Sequence, residues 1–97
     1  MLTDEDIKNV IDSNNLVLLQ FTADWCKSCK NYEYFINDLD VPVQKIDRDM
    51  NEDLIEEYEI QKLPTILVYK DKNLVDRIEQ FIPKTEFVKR LGISSQD

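Results

Sequence analysis

The sequence contains no histidine, a single glycine and two cysteines among its 97 residues. A structural metal site usually needs about four ligands, drawn mainly from cysteine, histidine and carboxylate side chains. Two cysteines without a histidine leave such a site incomplete unless carboxylates or a second chain contribute. We therefore expect no metal, and we keep a shared metal site as an alternative.

Positive charge is also scarce, because 12 lysines and arginines stand against 20 aspartates and glutamates, for a formal net charge of −8. Such a surface repels the phosphates of nucleic acids and anionic lipids. We expect neither nucleic acid nor a membrane among the partners. The acidic run between Asp47 and Glu59 lacks the loop glycine and ligand spacing of an EF-hand, so we interpret it as a solvated helix face.

Long apolar runs are missing as well. The longest, Leu16–Leu19, is far shorter than the roughly 20 residues that a transmembrane helix needs. The first residues, Met1–Asp6, have neither the basic nor the apolar region of a secretory signal. We therefore predict a cytoplasmic protein, in a reducing compartment where cysteines are more often reactive or metal-binding than structural.

The length suits one domain over residues 1–97. A chain of this size buries roughly two thirds of the surface that its unfolded form exposes, so it needs no disulfide to fold. Its 42% hydrophobic and 33% charged residues are typical of a globular protein and argue against disorder. We expect it to act as a monomer.

Hydrophobic periodicity predicts eight elements in the order αβαβαββα. They are a helix at Asp4–Asp12, a buried strand at Leu16–Phe21, a helix from the cysteines to about Asp38, a strand at Val41–Ile46, a helix through Leu54–Tyr58, strands at Thr65–Tyr69 and Leu74–Ile78, and a helix through Phe87–Leu91. Thr3 and Asp6 resemble a capping box, Asn51 is the expected cap of the third helix, and Pro42 must start a strand or lie on an edge. The first two strands should be parallel and the last two should form an antiparallel hairpin.

The stretch ADWCKSCK, residues 23–30, holds both cysteines two residues apart. If Cys26 lies where a loop meets a helix, the unpaired N–H groups and the positive helix end stabilise its thiolate. Lys27 and Lys30 add positive charge nearby, so the pKa of the first thiol should be lowered. This arrangement permits thiol–disulfide exchange, in which Cys26 attacks and Cys29 resolves the mixed disulfide intramolecularly.

Two further interpretations of the cysteine pair remain open beside the metal site. The pair could be a purely structural disulfide, although closing so small a loop stabilises a fold little. It could also belong to a binding module or assembly subunit that retains the motif without turnover, since a motif match alone does not prove chemistry.

Three segments together resemble the thioredoxin family. They are Phe21–Lys30 (FTADWCKSCK) after a buried strand, Lys45–Asp49 (KIDRD), and Tyr58–Thr65 (YEIQKLPT) before the next strand. A tryptophan before Cys-x-x-Cys combined with a later Leu-Pro-Thr is far more specific than the cysteine spacing alone. The resemblance extends over almost the whole chain.

The resemblance implies an α/β fold, a minimal thioredoxin fold with a four-stranded mixed sheet flanked by helices. The N-terminal strand that often opens the family fold should be absent, because the first helix starts almost at Met1. The implied activity is reduction of protein disulfides through a mixed-disulfide intermediate, with no cofactor beyond the redox-active disulfide Cys26–Cys29. The implied partners are disulfide-containing proteins and a reductase that regenerates the dithiol.

The resemblance also implies the neighbours of the thiols. Leu63–Pro64 should be a cis peptide beside the cysteines, and the Leu63 backbone should pair with an extended substrate segment. Trp25 should form part of the groove rim. Lys27 and Ser28 stand where typical thioredoxins have Gly-Pro, and we expect them to face the substrate.

Gln20 occupies the position of the family's buried aspartate, six residues before the first cysteine, and Lys45 matches the lysine that accompanies it. A glutamine amide can form hydrogen bonds but cannot accept a net proton at neutral pH. We expect Gln20 and Lys45 to support the thiol pair, resolution by Cys29 to be slow and the mixed disulfide to persist.

Overall fold

The computed structural model describes residues 2–93, which form a sheet between two layers of helices. The elements are α1 (Asp4–Asp12), β1 (Leu16–Thr22), α2 (Cys29–Glu33), β2 (Val43–Asp47), α3 (Glu52–Glu57), β3 (Thr65–Lys70), β4 (Asn73–Ile78) and α4 (Lys84–Leu91). Short 3₁₀ turns follow α2 at Ile36–Asp38 and β2 at Arg48–Met50. The predicted order and the α/β class are confirmed.

The four strands lie in the order β2-β1-β3-β4, so β1 and β3 are central. As predicted, β1 is parallel to β2, while β3 and β4 form an antiparallel hairpin. The hairpin turn places Asp71 and Lys72 at positive φ, 50° and 73°, as the two-residue turn that matches strand twist requires. The Asp71 N–H donates to the Asn15 carbonyl at 2.8 Å, which fixes the turn against the loop before β1.

Strand β1 is covered on both faces, which explains its nearly continuous apolar sequence. Val17, Leu19 and Phe21 lie in the core cluster formed with α1 and α3. Leu18 lies in the opposite cluster, formed with α2 and α4. The alternation places Gln20 on the same face as Leu18.

The start of α1 is confirmed, and Asn51 is the N-cap residue of α3 as predicted, although its side chain does not cap the helix. Thr3 Oγ1 accepts a hydrogen bond from the Asp6 N–H at 3.1 Å, and Asp6 Oδ2 accepts one from the Thr3 N–H at 2.9 Å. Asn51 precedes α3, but its side chain makes no capping bond. Its Oδ1 instead accepts from the Leu2 N–H at 2.9 Å, and its Nδ2 donates to the Asp47 carbonyl at 2.9 Å. The buried amide therefore ties the first residues to the end of β2.

The helix after the cysteines is shorter than its periodicity predicts. The apolar spacing indicates one helix to Asp38, but α2 ends at Glu33 and Phe35 leaves helical geometry at φ −142° and ψ −18°. The break brings the Phe35 ring against Tyr32 and Phe87, with centroids 5.8 and 5.7 Å away. Aromatic packing thus overrides helix continuation in this segment.

Strand β2 begins at Val43, two residues later than predicted. Pro42 has no N–H to donate to a strand ladder, although its carbonyl accepts from the Leu18 N–H at 3.0 Å. The proline therefore directly precedes a strand at the edge of the sheet, as expected.

Tyr32 connects α2 to the loop between β4 and α4. Its hydroxyl donates to the Gln80 carbonyl at 2.6 Å and accepts from the Ile82 N–H at 3.2 Å. The residue is fully buried, and this burial raises the pKa of the phenol to about 12. One hydroxyl thus satisfies backbone groups on the far side of the aromatic core.

We predict that Tyr32→Phe lowers the free energy of unfolding by about 1–3 kcal/mol, because the buried Ile82 N–H loses its partner. Denaturant unfolding monitored by circular dichroism measures this change. Tyr34→Phe is the matched control, because Tyr34 is 81% exposed and should tolerate the change. Equal stabilities for the two variants would refute the role of the Tyr32 hydroxyl.

Candidate active site at the Cys26–Cys29 disulfide

The two cysteines follow the C-terminal end of β1 and form a disulfide, with their Cα atoms 5.4 Å apart. Beyond β1 the chain turns at Ala23, whose carbonyl accepts from the Cys26 N–H at 3.1 Å. Ala23, Cys26 and Cys29 form a small buried cluster, against which Leu63 packs. The sequence therefore places the pair at the end of a rigid central strand.

The two sulfur-bearing residues differ in exposure. Cys26 is 6% exposed, whereas Cys29 is completely buried. A bulky protein substrate can approach only the residue that reaches the surface. Cys26 is therefore the side of the disulfide that another protein can contact.

The immediate surroundings of Cys26 differ from those expected. Helix α2 starts at Cys29 and is five residues long, so Cys26 lies before the helix and the macrodipole of a long helix is missing. Two nearby groups approach its sulfur instead. The Cys29 N–H donates to Cys26 Sγ at 3.2 Å, and Ser28 Oγ lies 3.6 Å from the same atom.

The charged neighbours of the disulfide face water. Lys27 and Lys30 are both exposed, and exposed charges are weakened by solvent and salt. Donors in direct contact with Cys26 Sγ therefore matter more for a thiolate there than these exposed lysines do.

The Leu63–Pro64 peptide bond is cis, and it lies beside the cysteines. Pro64 is buried, while Leu63 is partly buried and contacts the cysteine cluster. A hydrogen bond spans this segment, because Thr65 Oγ1 donates to the Lys62 carbonyl at 2.6 Å. The fold thus brings Leu63 into contact with the cysteine cluster, two regions that are distant in the sequence and that both belong to the family resemblance.

Trp25 lies next to Cys26 in the chain and is 64% exposed. Its indole Nε1 donates to Asp49 Oδ2 at 2.8 Å. The Asp49 N–H in turn donates to Asp47 Oδ1 at 2.9 Å. This chain of contacts holds an exposed aromatic ring in one place beside the disulfide.

Asp49 is a site residue that the sequence interpretation missed. The acidic run is not a single helix face, because Asp47 ends β2, Asp49 lies in a 3₁₀ turn, and the acidic residues 52–57 belong to α3. An aspartate that accepts from backbone N–H groups two and three residues later is a common turn signal. That signal at Asp47 would have separated the turn from the helix.

Within residues 2–93, no group of three or more acidic or cysteine side chains is arranged to hold a metal ion. In the same part of the chain, no helix is both long and apolar enough to span a membrane.

Gln20 is 2% exposed and lies on β1, opposite Lys45 of β2 and Ile66 of β3. Its Nε2 has no hydrogen-bond partner among the described residues. A buried amide donor left without a partner carries a desolvation cost. Gln20 therefore lies under the α2 side of the sheet, with an amide that the surrounding side chains do not satisfy.

Lys45 is the register partner of Gln20 in the β1–β2 ladder, but its ammonium group binds a different residue. Its ammonium group binds Glu33 Oε2 of α2 at 3.0 Å, and its side chain is 56% exposed. The long side chain extends to solvent, as lysines on edge strands commonly do. The ion pair therefore joins two surface elements, β2 and α2.

Comparison with known proteins places this arrangement in a family. The thioredoxin family model matches residues 1–92. A thioredoxin of Staphylococcus epidermidis is 33% identical over 96 residues, covering 93% of this chain and 91% of the relative. The chloroplastic thioredoxin Y2 of Arabidopsis thaliana is 33% identical over 91 residues; these cover 88% of this chain but 54% of that longer protein.

A solved structure agrees with these relatives. A point mutant of a thioredoxin from Halobacterium salinarum NRC-1 matches with a TM-score of 0.86 and 26% identity, covering 94% of this chain and 84% of that one. The match covers nearly all of this chain, whose sheet has four strands and whose cysteine pair is at bonding distance. The chain therefore belongs to the thioredoxin family and is a thiol–disulfide oxidoreductase.

Proposed function

We propose that the protein reduces disulfide bonds in other proteins, with Cys26 as the nucleophile and Cys29 as the resolving thiol. The asymmetry of burial carries this proposal, because Cys26 is 6% exposed and Cys29 is 0% exposed within one disulfide. Cys26, the more exposed of the two residues, meets the substrate, and the fully buried Cys29 attacks from inside the same loop. The separation of two residues makes the second attack intramolecular and fast.

The proposed cycle consists of two thiol–disulfide exchange steps. The Cys26 thiolate attacks one sulfur of the substrate disulfide, forming a mixed disulfide as the substrate S–S bond breaks and its other sulfur leaves as a thiolate. Cys29 then loses its proton and attacks Cys26 Sγ. The Cys26–Cys29 bond forms, and the bond to the substrate breaks. The substrate gains two electrons and takes up two protons, while the protein becomes the disulfide described above.

The surface beside Cys26 would supply the contacts for a protein substrate. The Leu63 backbone would pair with an extended segment of the substrate, as strand addition does elsewhere, and Pro64 would lie beneath that segment. Trp25, held by Asp49, offers a fixed apolar surface. Lys27 and Ser28, both exposed, complete the rim on the other side.

The natural partners on this proposal are disulfide-containing proteins and a reductase that returns two electrons to the Cys26–Cys29 disulfide. A reducing compartment such as the cytoplasm suits this direction, because it keeps the pair in the attacking dithiol form. We further propose that the chain acts as a monomer, so that the exposed rim stays open to substrates.

We predict that Cys26→Ser abolishes reduction of insulin by dithiothreitol, whereas Cys29→Ser accumulates a mixed disulfide at Cys26. Insulin turbidity measures turnover, and mass spectrometry of the unreduced protein identifies the adduct. A mixed disulfide that accumulates at Cys29 in the Cys26→Ser variant would reverse the roles of nucleophile and resolving thiol. A wild-type protein without turnover would instead favour a binding module.

We predict a reduction potential below about −220 mV for the Cys26–Cys29 pair, within or below the range of cytosolic glutathione. Equilibration with glutathione and dithiothreitol mixtures, followed by alkylation and mass analysis, measures it. A value near about −120 mV would mark an oxidant and contradict the proposed direction.

We predict that Gln20→Asp speeds decay of the mixed disulfide near neutral pH and lowers stability. A carboxylate on this face of β1 can accept the proton of the resolving thiol, which the amide cannot. Burying it without a charged partner should cost about 1 kcal/mol or more, because the Lys45 ammonium is engaged with Glu33. Stopped-flow measurement of decay and denaturant unfolding test both effects.

Gln20→Asn is the control for this variant, since it shortens the side chain and keeps the amide. It should lose stability through packing without speeding the decay. Unchanged decay and unchanged stability in Gln20→Asp would show that position 20 lies away from the thiol pair.

A further inference from the structure

The Ser28 hydroxyl makes no helix-capping hydrogen bond, although Ser28 occupies the position where a serine usually makes one. Ser28 is the N-cap residue of α2, a place where serine usually accepts a hydrogen bond from a backbone N–H of the first turn. A capping residue has extended backbone angles, but Ser28 is helical at φ −67° and ψ −24° and makes no side-chain capping bond. Its hydroxyl lies 3.6 Å from Cys26 Sγ instead.

The direction of this contact follows from the chemistry of sulfur. In the disulfide, Cys26 Sγ carries no hydrogen, so the Ser28 O–H is the donor. A thiolate is a far better acceptor than a disulfide sulfur, because hydrogen bonds to a charged acceptor are shorter and stronger. Cys26 is 6% exposed, which leaves little room for water to solvate the charge.

We propose that Ser28 is a further catalytic residue, whose hydroxyl donates to the Cys26 thiolate and raises the fraction of the attacking form. This inference rests on the proposed role of Cys26 as the nucleophile. Ser28 Oγ and the Cys29 N–H, at 3.2 Å, are the two donors that the structure places at this sulfur. The backbone donor cannot be removed by substitution, whereas the hydroxyl can.

Removing the Ser28 hydroxyl should change both the acidity of the Cys26 thiol and the nucleophilicity of its thiolate. We expect Ser28→Ala to decrease the acid dissociation constant of Cys26 about tenfold, the scale of a hydrogen bond to a charged group. A more basic thiolate is also more nucleophilic, with a Brønsted coefficient of about 0.4–0.5. Below both titration midpoints, the variant should therefore react about three- to fourfold more slowly than wild type. Above both midpoints it should react about threefold faster.

Ser28→Ala should also shift the redox equilibrium of the Cys26–Cys29 pair, by an amount that depends on pH. Stabilising the thiolate favours the reduced protein, so losing the hydroxyl makes the protein a stronger reductant. The equilibrium constant against glutathione should shift about tenfold above both midpoints, equivalent to about 30 mV. It should not shift below them, because both proteins then carry a neutral thiol.

The test is alkylation of Cys26 in the reduced protein from about pH 4 to about pH 10, read by mass at each cysteine. We expect the rate profiles of wild type and Ser28→Ala to cross, and Ser28→Thr to restore the wild-type profile because it keeps a hydroxyl. Ser13→Ala is the matched control, an exposed serine at the end of α1. Repeating the titrations at about 1 M salt separates the hydroxyl from Lys27, whose effect is screened.

Parallel profiles that never cross, or a Ser28→Ala midpoint equal to that of wild type, would overturn the proposal. So would a redox shift of equal size at every pH, which indicates a structural effect on the disulfide. Alkylation requires no protein substrate, so the result is independent of turnover. A shifted midpoint in a protein that fails to reduce insulin would refute the proposed function and leave the role of Ser28 intact.

Discussion

Burial of β1 on both of its faces is the constraint on which the rest of the structure depends. The strand lies between β2 and β3, and its side chains enter the two core clusters alternately. A slip of one residue would carry Phe21 from one core to the other and leave Gln20 in its place. The register is thus fixed by packing on both sides, and it fixes where the chain leaves the sheet toward Cys26.

The elements predicted best from sequence are those determined by local chemistry or by a strict period. The reciprocal bonds of Thr3 and Asp6 begin α1 at the predicted residue. The two-faced apolar run gives β1, and the cysteine motif with Leu63 and Pro64 gives the site and its family. For α1 and β1 the neighbouring residues suffice to choose the structure, whereas the third case combines two motifs that are distant in the chain.

The elements predicted poorly depend on partners that are distant in sequence. Helix α2 stops because Phe35 packs against Phe87, a residue of α4. The Asn51 side chain accepts from the Leu2 N–H instead of capping α3, and Asp49 accepts from the indole of Trp25. Helical spacing correctly predicts burial in such segments but not the backbone path, because long-range contacts choose between conformations of similar local energy.

Lys45 shows the limit of assigning roles by position in a family. Its place in the sequence matches, and it is the register partner of Gln20 in the parallel ladder. Its ammonium nevertheless binds Glu33, since an uncharged amide across the ladder gives it no ion pair. A role that consists of an interaction is transferred only when both partners are present.

The charge at Cys26 also depends on the groups that lie next to it. A net charge of −8 opposes another negative charge on this chain, but salt screens that opposition beyond about 8–10 Å. Helix α2 is too short to offer a long macrodipole in compensation. The free energy of the thiolate is therefore governed by donors in direct contact with one sulfur, the Cys29 N–H and the Ser28 hydroxyl. An acidic protein can thus keep a reactive thiolate without a basic surface, because the two hydrogen-bond donors contact the sulfur directly and salt does not screen them.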